Sequence, residues 1–229
     1  MGSLFDEIAI FHGMRLADGR ERGDIDRGVG VPWNGGMDSS RMHIEVRRPW
    51  RAGESLFLLG PGGVGKSSLG RELSRQFGWP LIDLDLEFCA RIGEIGGFIS
   101  AHGYERYRAE NLALAGNLVS QFERPSVLVT ASGFLAAEPG TDDHNVSRQL
   151  VGTGYSVTLL PSLDIEAATA IVVERQLTRG FGLRRETEIP KFRKRFGIYR
   201  AEGDMLVVGT EHPSQIAVAV QRALEGGAA

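Results

Sequence analysis

The stretch Ser55-Leu56-Phe57-Leu58-Leu59-Gly60-Pro61-Gly62-Gly63-Val64-Gly65-Lys66-Ser67-Ser68 constrains this chain more than any other. An apolar run leads into a glycine-dense turn and then into a helix-compatible continuation, the order strand, loop, helix. Residues 60–67 fit G-x-x-x-x-G-K-[ST] at every fixed position. The spacing has a physical cause: glycines let successive backbone N–H groups turn inward around an anion, at the positive end of the helix that follows. Lys66 can then reach the outer phosphates of a nucleotide, and the Ser67 hydroxyl can ligate magnesium. Gly60, Gly62, Gly63, Val64, Gly65, Lys66, Ser67 and Ser68 are therefore the expected contacts to a nucleotide.

Beyond this loop, strand-like and helix-like segments alternate. Strands are predicted at 56–59, 81–84, 126–130, 155–160 and 205–208, and helices at 67–77, 87–101, 105–122, 165–177 and 213–224. The centre of the 126–130 strand, Val127-Leu128-Val129, is wholly apolar, as a strand covered on both faces must be. The pattern predicts an α/β fold with a five-stranded parallel sheet flanked by helices, and ligands at the carboxyl ends of the strands.

Residues 1–52 differ from the rest. Positions 18–38 are dense in Gly, Asp and Arg, with Pro32 and Gly35-Gly36 as breakers, and cannot bury enough apolar area to offset chain entropy. The expected division is a flexible arm over 1–52, with Met42 as a possible true start, and a folded domain over 53–229. A length of 229 residues suits one such domain plus an arm.

A net charge of −3 gives no global drive toward nucleic acid or an anionic membrane. The lone Cys89 excludes an intramolecular disulfide framework and a thiolate metal cluster. No apolar run approaches the ~20 residues of a membrane span. A cytoplasmic monomer without membrane or nucleic-acid partners is expected.

Asp83 and Asp85 stand at i and i+2 and would project from one side of a continuing strand toward the phosphate loop. Magnesium and a substrate hydroxyl both need carboxylates there; the plainer reading is a polar strand end with a helix cap. His102 falls between helices, and His144 falls in a polar loop with Asp142 and Asp143, without companion ligands at metal-binding spacing. Phe88, Tyr104 and Tyr107 could line a pocket or fill core.

Taken together, Gly60 to Ser67, Asp83-Leu84-Asp85 with Phe88 and Gly93-x-Ile95, and the run Gly103-Tyr104-Glu105-Arg106-Tyr107-Arg108-Ala109-Glu110 resemble the shikimate kinase family. The resemblance covers roughly 54–226. It implies a three-layer P-loop kinase fold and ATP-dependent conversion of shikimate to shikimate 3-phosphate, a step of aromatic amino acid biosynthesis. It assigns Lys66 to the transferred phosphate, Ser67 and Asp83 to the metal, Asp85 to the acceptor hydroxyl, and Arg108 to the acceptor carboxylate. Arg195-Phe196-Gly197-Ile198-Tyr199 resembles the family's Arg-x-Pro-Leu-Tyr segment without its proline, making Arg195 the second carboxylate-binding arginine. Arg195 also sits inside a basic run, Lys191 through Arg200, whose plainer reading is a solvated helix or a nucleic-acid contact.

Two stretches depart from the family. Where it carries three glycines against the substrate ring, this chain has Ala131-Ser132-Gly133, whose side chains would crowd the approach. The lid segment reads Gln176-Leu177-Thr178-Arg179-Gly180-Phe181-Gly182-Leu183-Arg184-Arg185. Either Arg179 stacks on adenine, opposite Pro213, while Arg184 or Arg185 closes over the phosphates, or Arg179 is itself the lid arginine. The alternatives to shikimate phosphorylation are a kinase for another polyol acid such as gluconate, and a catalytically weak module that senses nucleotide and metabolite.

Overall fold

The computed structural model describes residues 42–178 and 183–226. Six strands form one sheet: β1 (His43–Val46), β2 (Leu56–Leu59), β3 (Leu81–Asp83), β4 (Val127–Val129), β5 (Tyr155–Leu160) and β6 (Met205–Val208), in the spatial order β1-β6-β5-β2-β4-β3. The five from β2 to β6 are mutually parallel, as predicted. All six residues of β5 and all four of β2 and β6 are buried. Since side chains alternate between faces, such runs require cover on both sides of the sheet.

Eight helices flank it among the described residues: α1 (Lys66–Phe77), α2 (Leu84–Arg91), α3 (Ile95–His102), α4 (Tyr104–Val119), α5 (Asp142–Val151), α6 (Ile165–Leu177), α7 (Arg185–Ala201) and α8 (Pro213–Gly226). α1 packs against β4 and α8. Its approach to the sheet is close at Gly70, where a Cβ would come within 2.6 Å of Cγ2 of Val129.

Three sequence expectations need correction. The sixth strand, β1, lies inside the segment assigned to the arm and pairs antiparallel with β6, His43 opposite Val208. Asp142, Asp143 and His144, read as part of a polar loop, form the first turn of α5, which Thr141 caps by accepting the His144 N–H at 3.3 Å. The second strand ends at Asp83 rather than running on, and the helix begins at Leu84. There Oδ1 of Asp83 accepts the Asp85 N–H at 3.2 Å, an N-cap that turns the backbone out of the sheet.

What ties β1 down is the segment after it. Arg48 donates from Nε to Oδ1 of Asp204 at 2.8 Å, from Nη1 to the Glu54 carboxylate at 3.0 Å and from Nη2 to the Gly154 carbonyl at 3.0 Å. Asp204 accepts in addition from the Ser156 N–H and hydroxyl, each at 2.8 Å. Burial alone would raise the Asp204 carboxyl, but the hydrogen bonds from Arg48 and Ser156, with the Arg48 charge, outweigh it and hold the carboxyl below its ordinary value.

A depressed folded-state carboxyl contributes stability that is fully present above its unfolded value, about 3.9, and is lost as pH falls through the lower folded value. Thermal melting should therefore show the parent losing stability in that acid window. Asp204→Asn should begin less stable at neutral pH, by about 1–3 kcal/mol for partners left poorly satisfied, and should show a flatter acid limb. An unchanged acid limb in the variant would remove Asp204 from the account.

Candidate active site

The loop between β2 and α1 reverses into a helix whose N-cap, Gly65, has φ 102°, a left-handed conformation that favours glycine. No side chain caps α1, and its first turn holds no acidic residue. The positive end of the helix is therefore left for an anion.

A cleft of about 240 Å³ opens on this helix end, with Gly62, Gly63, Gly65, Lys66, Ser67 and Ser68 on its wall. Asp85 from α2 faces the loop, Thr130 and Ser132 enter from the end of β4, and Gln176, Leu183, Glu188 and Lys191 close the side formed by α6 and α7. The cleft thus lies at the carboxyl ends of the central strands, where the topology predicts it. Lys66 is buried and folds across its own loop, donating from Nζ to the Gly60 carbonyl at 2.7 Å and the Pro61 carbonyl at 3.1 Å.

The two aspartates part company. Asp85 lines the cleft and accepts from the Tyr107 hydroxyl at 3.3 Å. Asp83 is buried at the strand end as the cap of α2. Burial, then the Asp85 charge, pushes the Tyr107 phenol well above its ordinary value, so it stays a donor to Asp85. Phe88 is fully buried and packs edge-on against Phe98 and Tyr107, which makes it core rather than pocket wall.

The two candidate carboxylate clamps are both engaged with the protein. Arg108 donates from Nε to Oδ2 of Asp143 on α5 at 2.7 Å. Arg195 is buried, donating from Nη1 to the Ser132 hydroxyl at 3.1 Å and from Nη2 to the Tyr104 hydroxyl at 2.8 Å. Tyr104 and Arg108 stand four residues apart on α4, hence on one face, so both arginines belong to one region.

The departure at Ala131-Ser132-Gly133 has a local explanation. Ala131 turns into the core, Ser132 spends its hydroxyl on Arg195, and Gly133 alone could not be otherwise. A Cβ at Gly133 would overlap the Tyr104 hydroxyl and come within 2.9 Å of Nη2 of Arg195. The Tyr199 hydroxyl braces the turn by donating to the Ser132 carbonyl at 3.2 Å.

Several expected residues stand elsewhere. Arg184 is exposed at the N-cap of α7, and Arg185 pairs with Glu174 at 2.9 Å; neither lines the cleft. Arg179 lies outside the described residues. Pro213 is the half-buried first residue of α8, also off the cleft wall. Gly60 and Val64 support the loop from below: a Cβ on Gly60 would come within 2.7 Å of the Leu159 carbonyl, and Val64 is buried in the core. Glu188 and Lys191 had no functional signal in the sequence, because a glutamate and a lysine three residues apart on a helix look like any solvated pair, and Gln176 entered only as the first residue of the lid segment.

Among the described residues no helix is long and apolar enough to cross a membrane, and no three His, Cys, Asp or Glu side chains gather as a metal cluster.

Comparison with known proteins agrees with this architecture. The chain is similar to the shikimate kinase of Halorhodospira halophila, 35% identical over 95 residues, 41% of this chain and 52% of that protein. It thus spans about half the length of that relative, as it does for the shikimate kinase of Xanthomonas axonopodis at 53%. The alignment to the shikimate kinase of Paramagnetospirillum magneticum is weaker but longer, 26% identical over 77% of this chain and 85% of that protein. The solved shikimate kinase from Acinetobacter baumannii in complex with shikimate shares the fold, with a TM-score of 0.60 at 20% identity over 76% of this chain and 94% of that one. The family model described as shikimate kinase matches residues 62–224, from the phosphate loop to the last helix, and on that match the chain belongs to the shikimate kinase family.

Proposed function

We propose that this protein transfers the γ-phosphoryl group of ATP to a hydroxyl of a small polyhydroxy carboxylic acid, with shikimate as the foremost acceptor. The observation that carries the reading is one cleft with a phosphate loop on one wall and the Asp85 carboxylate on the other. Phosphoryl transfer asks the protein mainly for positioning and charge stabilisation. The loop amides and Lys66 would hold the phosphates. Asp85 would orient the acceptor hydroxyl and take its proton as the new O–P bond forms and ADP leaves with the bridging oxygen.

Magnesium fits the donor set. The Ser67 hydroxyl and the Asp85 carboxylate are hard oxygen donors on the cleft wall, and a cation that keeps most of its waters takes few protein ligands besides the phosphates. Ser67 would hold it, and Asp83, the other residue expected to serve the metal, caps α2 instead of lining the cleft. When bound, it would neutralise phosphate charge.

Arg108 and Arg195 would share the acceptor carboxylate, a task suited to the planar guanidinium fork. Asp143 occupies Nε of Arg108 and would set the direction of the remaining donors. The Ser132 hydroxyl on Arg195 favours a second reading, an acceptor that lacks the shikimate ring, such as the open-chain acid gluconate.

An assay of ADP release with shikimate, with gluconate and without acceptor separates these readings. Shikimate should stimulate release at least about tenfold over the acceptor-free rate. Stimulation by gluconate alone would reassign the acceptor, and nucleotide binding with no stimulation by either would leave a sensor module.

A further inference from the structure

The wall of the cleft opposite the phosphate loop carries a charge arrangement that the reading above does not use. α6 and α7 pack against each other and bring Gln176, Glu188 and Lys191 to one edge. The Glu188 side chain is 6% exposed, so its carboxylate is almost sealed from water. Oε1 accepts from Nζ of Lys191 at 3.1 Å, and Oε2 faces Nε2 of Gln176 at 3.5 Å. Gln176 in turn sits directly over the loop: a Cβ on Gly62 would come within 2.6 Å of its Nε2.

A carboxylate at the rim of a site built for phosphates opposes every anion that enters unless a cation lies between the two. Lys191 is that cation, and unlike Glu188 it keeps freedom to move, its side chain being 44% exposed. A lysine is a compact charge on a flexible stem and can exchange one oxygen partner for another nearby. Arg184 and Arg185, the residues expected to supply positive charge here, do not line the cleft, whereas Lys191 does.

We propose that Lys191 is a phosphate-binding residue of the nucleotide site, held on Glu188 while the cleft lacks a terminal phosphate and moving its ammonium onto that phosphate when ATP binds. Glu188 is the resting partner that competes for this ammonium, and Gln176 fixes its carboxylate against the loop. The inference rests on the cleft being the nucleotide site, but it needs no acceptor and can be tested without turnover.

The experiment measures the affinity of the full chain for a non-hydrolysable ATP analogue and for ADP, both with magnesium. Lys191→Met should weaken the analogue about tenfold or more, the order expected for one charge-assisted hydrogen bond, and change ADP less than about twofold. Lys191→Arg should recover most of the loss. Glu188→Gln should tighten the analogue, because it removes both the competing partner and a like charge. The double variant Glu188→Gln/Lys191→Met, which leaves no buried charge unpaired, should show the same selective loss as Lys191→Met. Equal effects of Lys191→Met on both nucleotides, or none on either, overturn the proposal. A parent that binds neither nucleotide overturns the nucleotide reading and this inference with it, whereas a parent that binds both but phosphorylates no acceptor leaves the Lys191 comparison decisive.

Discussion

Replacing Lys66 by alanine is expected to lower kcat by at least about a hundredfold while the protein stays folded. The ammonium lies at the uncapped positive end of α1 and at rest donates to the Gly60 and Pro61 carbonyls, so it is already held over the loop where phosphates would sit. A preorganised donor of this kind contributes roughly 10²–10³ in rate when it meets charge developing in the transition state. The fold should survive because β2 and α1 are anchored by Leu58, Leu69 and Leu73, each at most 1% exposed. Steady-state kinetics with the best acceptor, alongside a melting curve, checks both halves. Lys66→Arg should rescue little, since a planar fork does not fit a cradle shaped for a point charge. A Lys66→Ala variant with parental kcat would remove this residue from the chemistry.

The second large effect is expected at Gly133. An alanine there overlaps the Tyr104 hydroxyl, and Tyr104 can move only by giving up its 2.8 Å hydrogen bond from Arg195. The acceptor KM should rise about tenfold to a hundredfold, the range for disturbing a charge-assisted contact, with the KM for ATP nearly unchanged. The mechanism predicts non-additivity: on a Tyr104→Ala background the added cost of Gly133→Ala should largely vanish, because the clash has been removed. Additive losses, or equal rises in both KM values, would place the effect in general misfolding of the turn after β4.

The phosphate loop was fully legible in the sequence because everything that defines it is local: glycines at fixed spacing, an apolar run before, a helix after. The parallel sheet was legible for the same reason, since β2, β4 and β6 are buried on both faces and read as unbroken apolar runs. β1 escaped because His43–Val46 is mostly exposed and half polar, and gains its strand geometry from the edge of β6 rather than from its own side chains. The start of α2 was misplaced by a few residues because Asp83 can end a strand and cap a helix at once. Arg195 was found by resemblance, but its partners Tyr104 and Ser132 come from elements far apart in the chain. The cluster of Gln176, Glu188 and Lys191 depends on how α6 and α7 pack, which no spacing along the chain records.

The pairing of β1 with β6 bears on how this protein is made. The first strand of the described domain finds its place beside the last, His43 opposite Val208. During synthesis at about 5–20 residues per second, β2 to β5 can assemble around the phosphate loop while β1 waits, because its partner β6 is made after all of them. Closing so long a loop is entropically slow compared with the local steps. The outer edge of the sheet is therefore the last part to be zipped, and Arg48 is placed to lock it there.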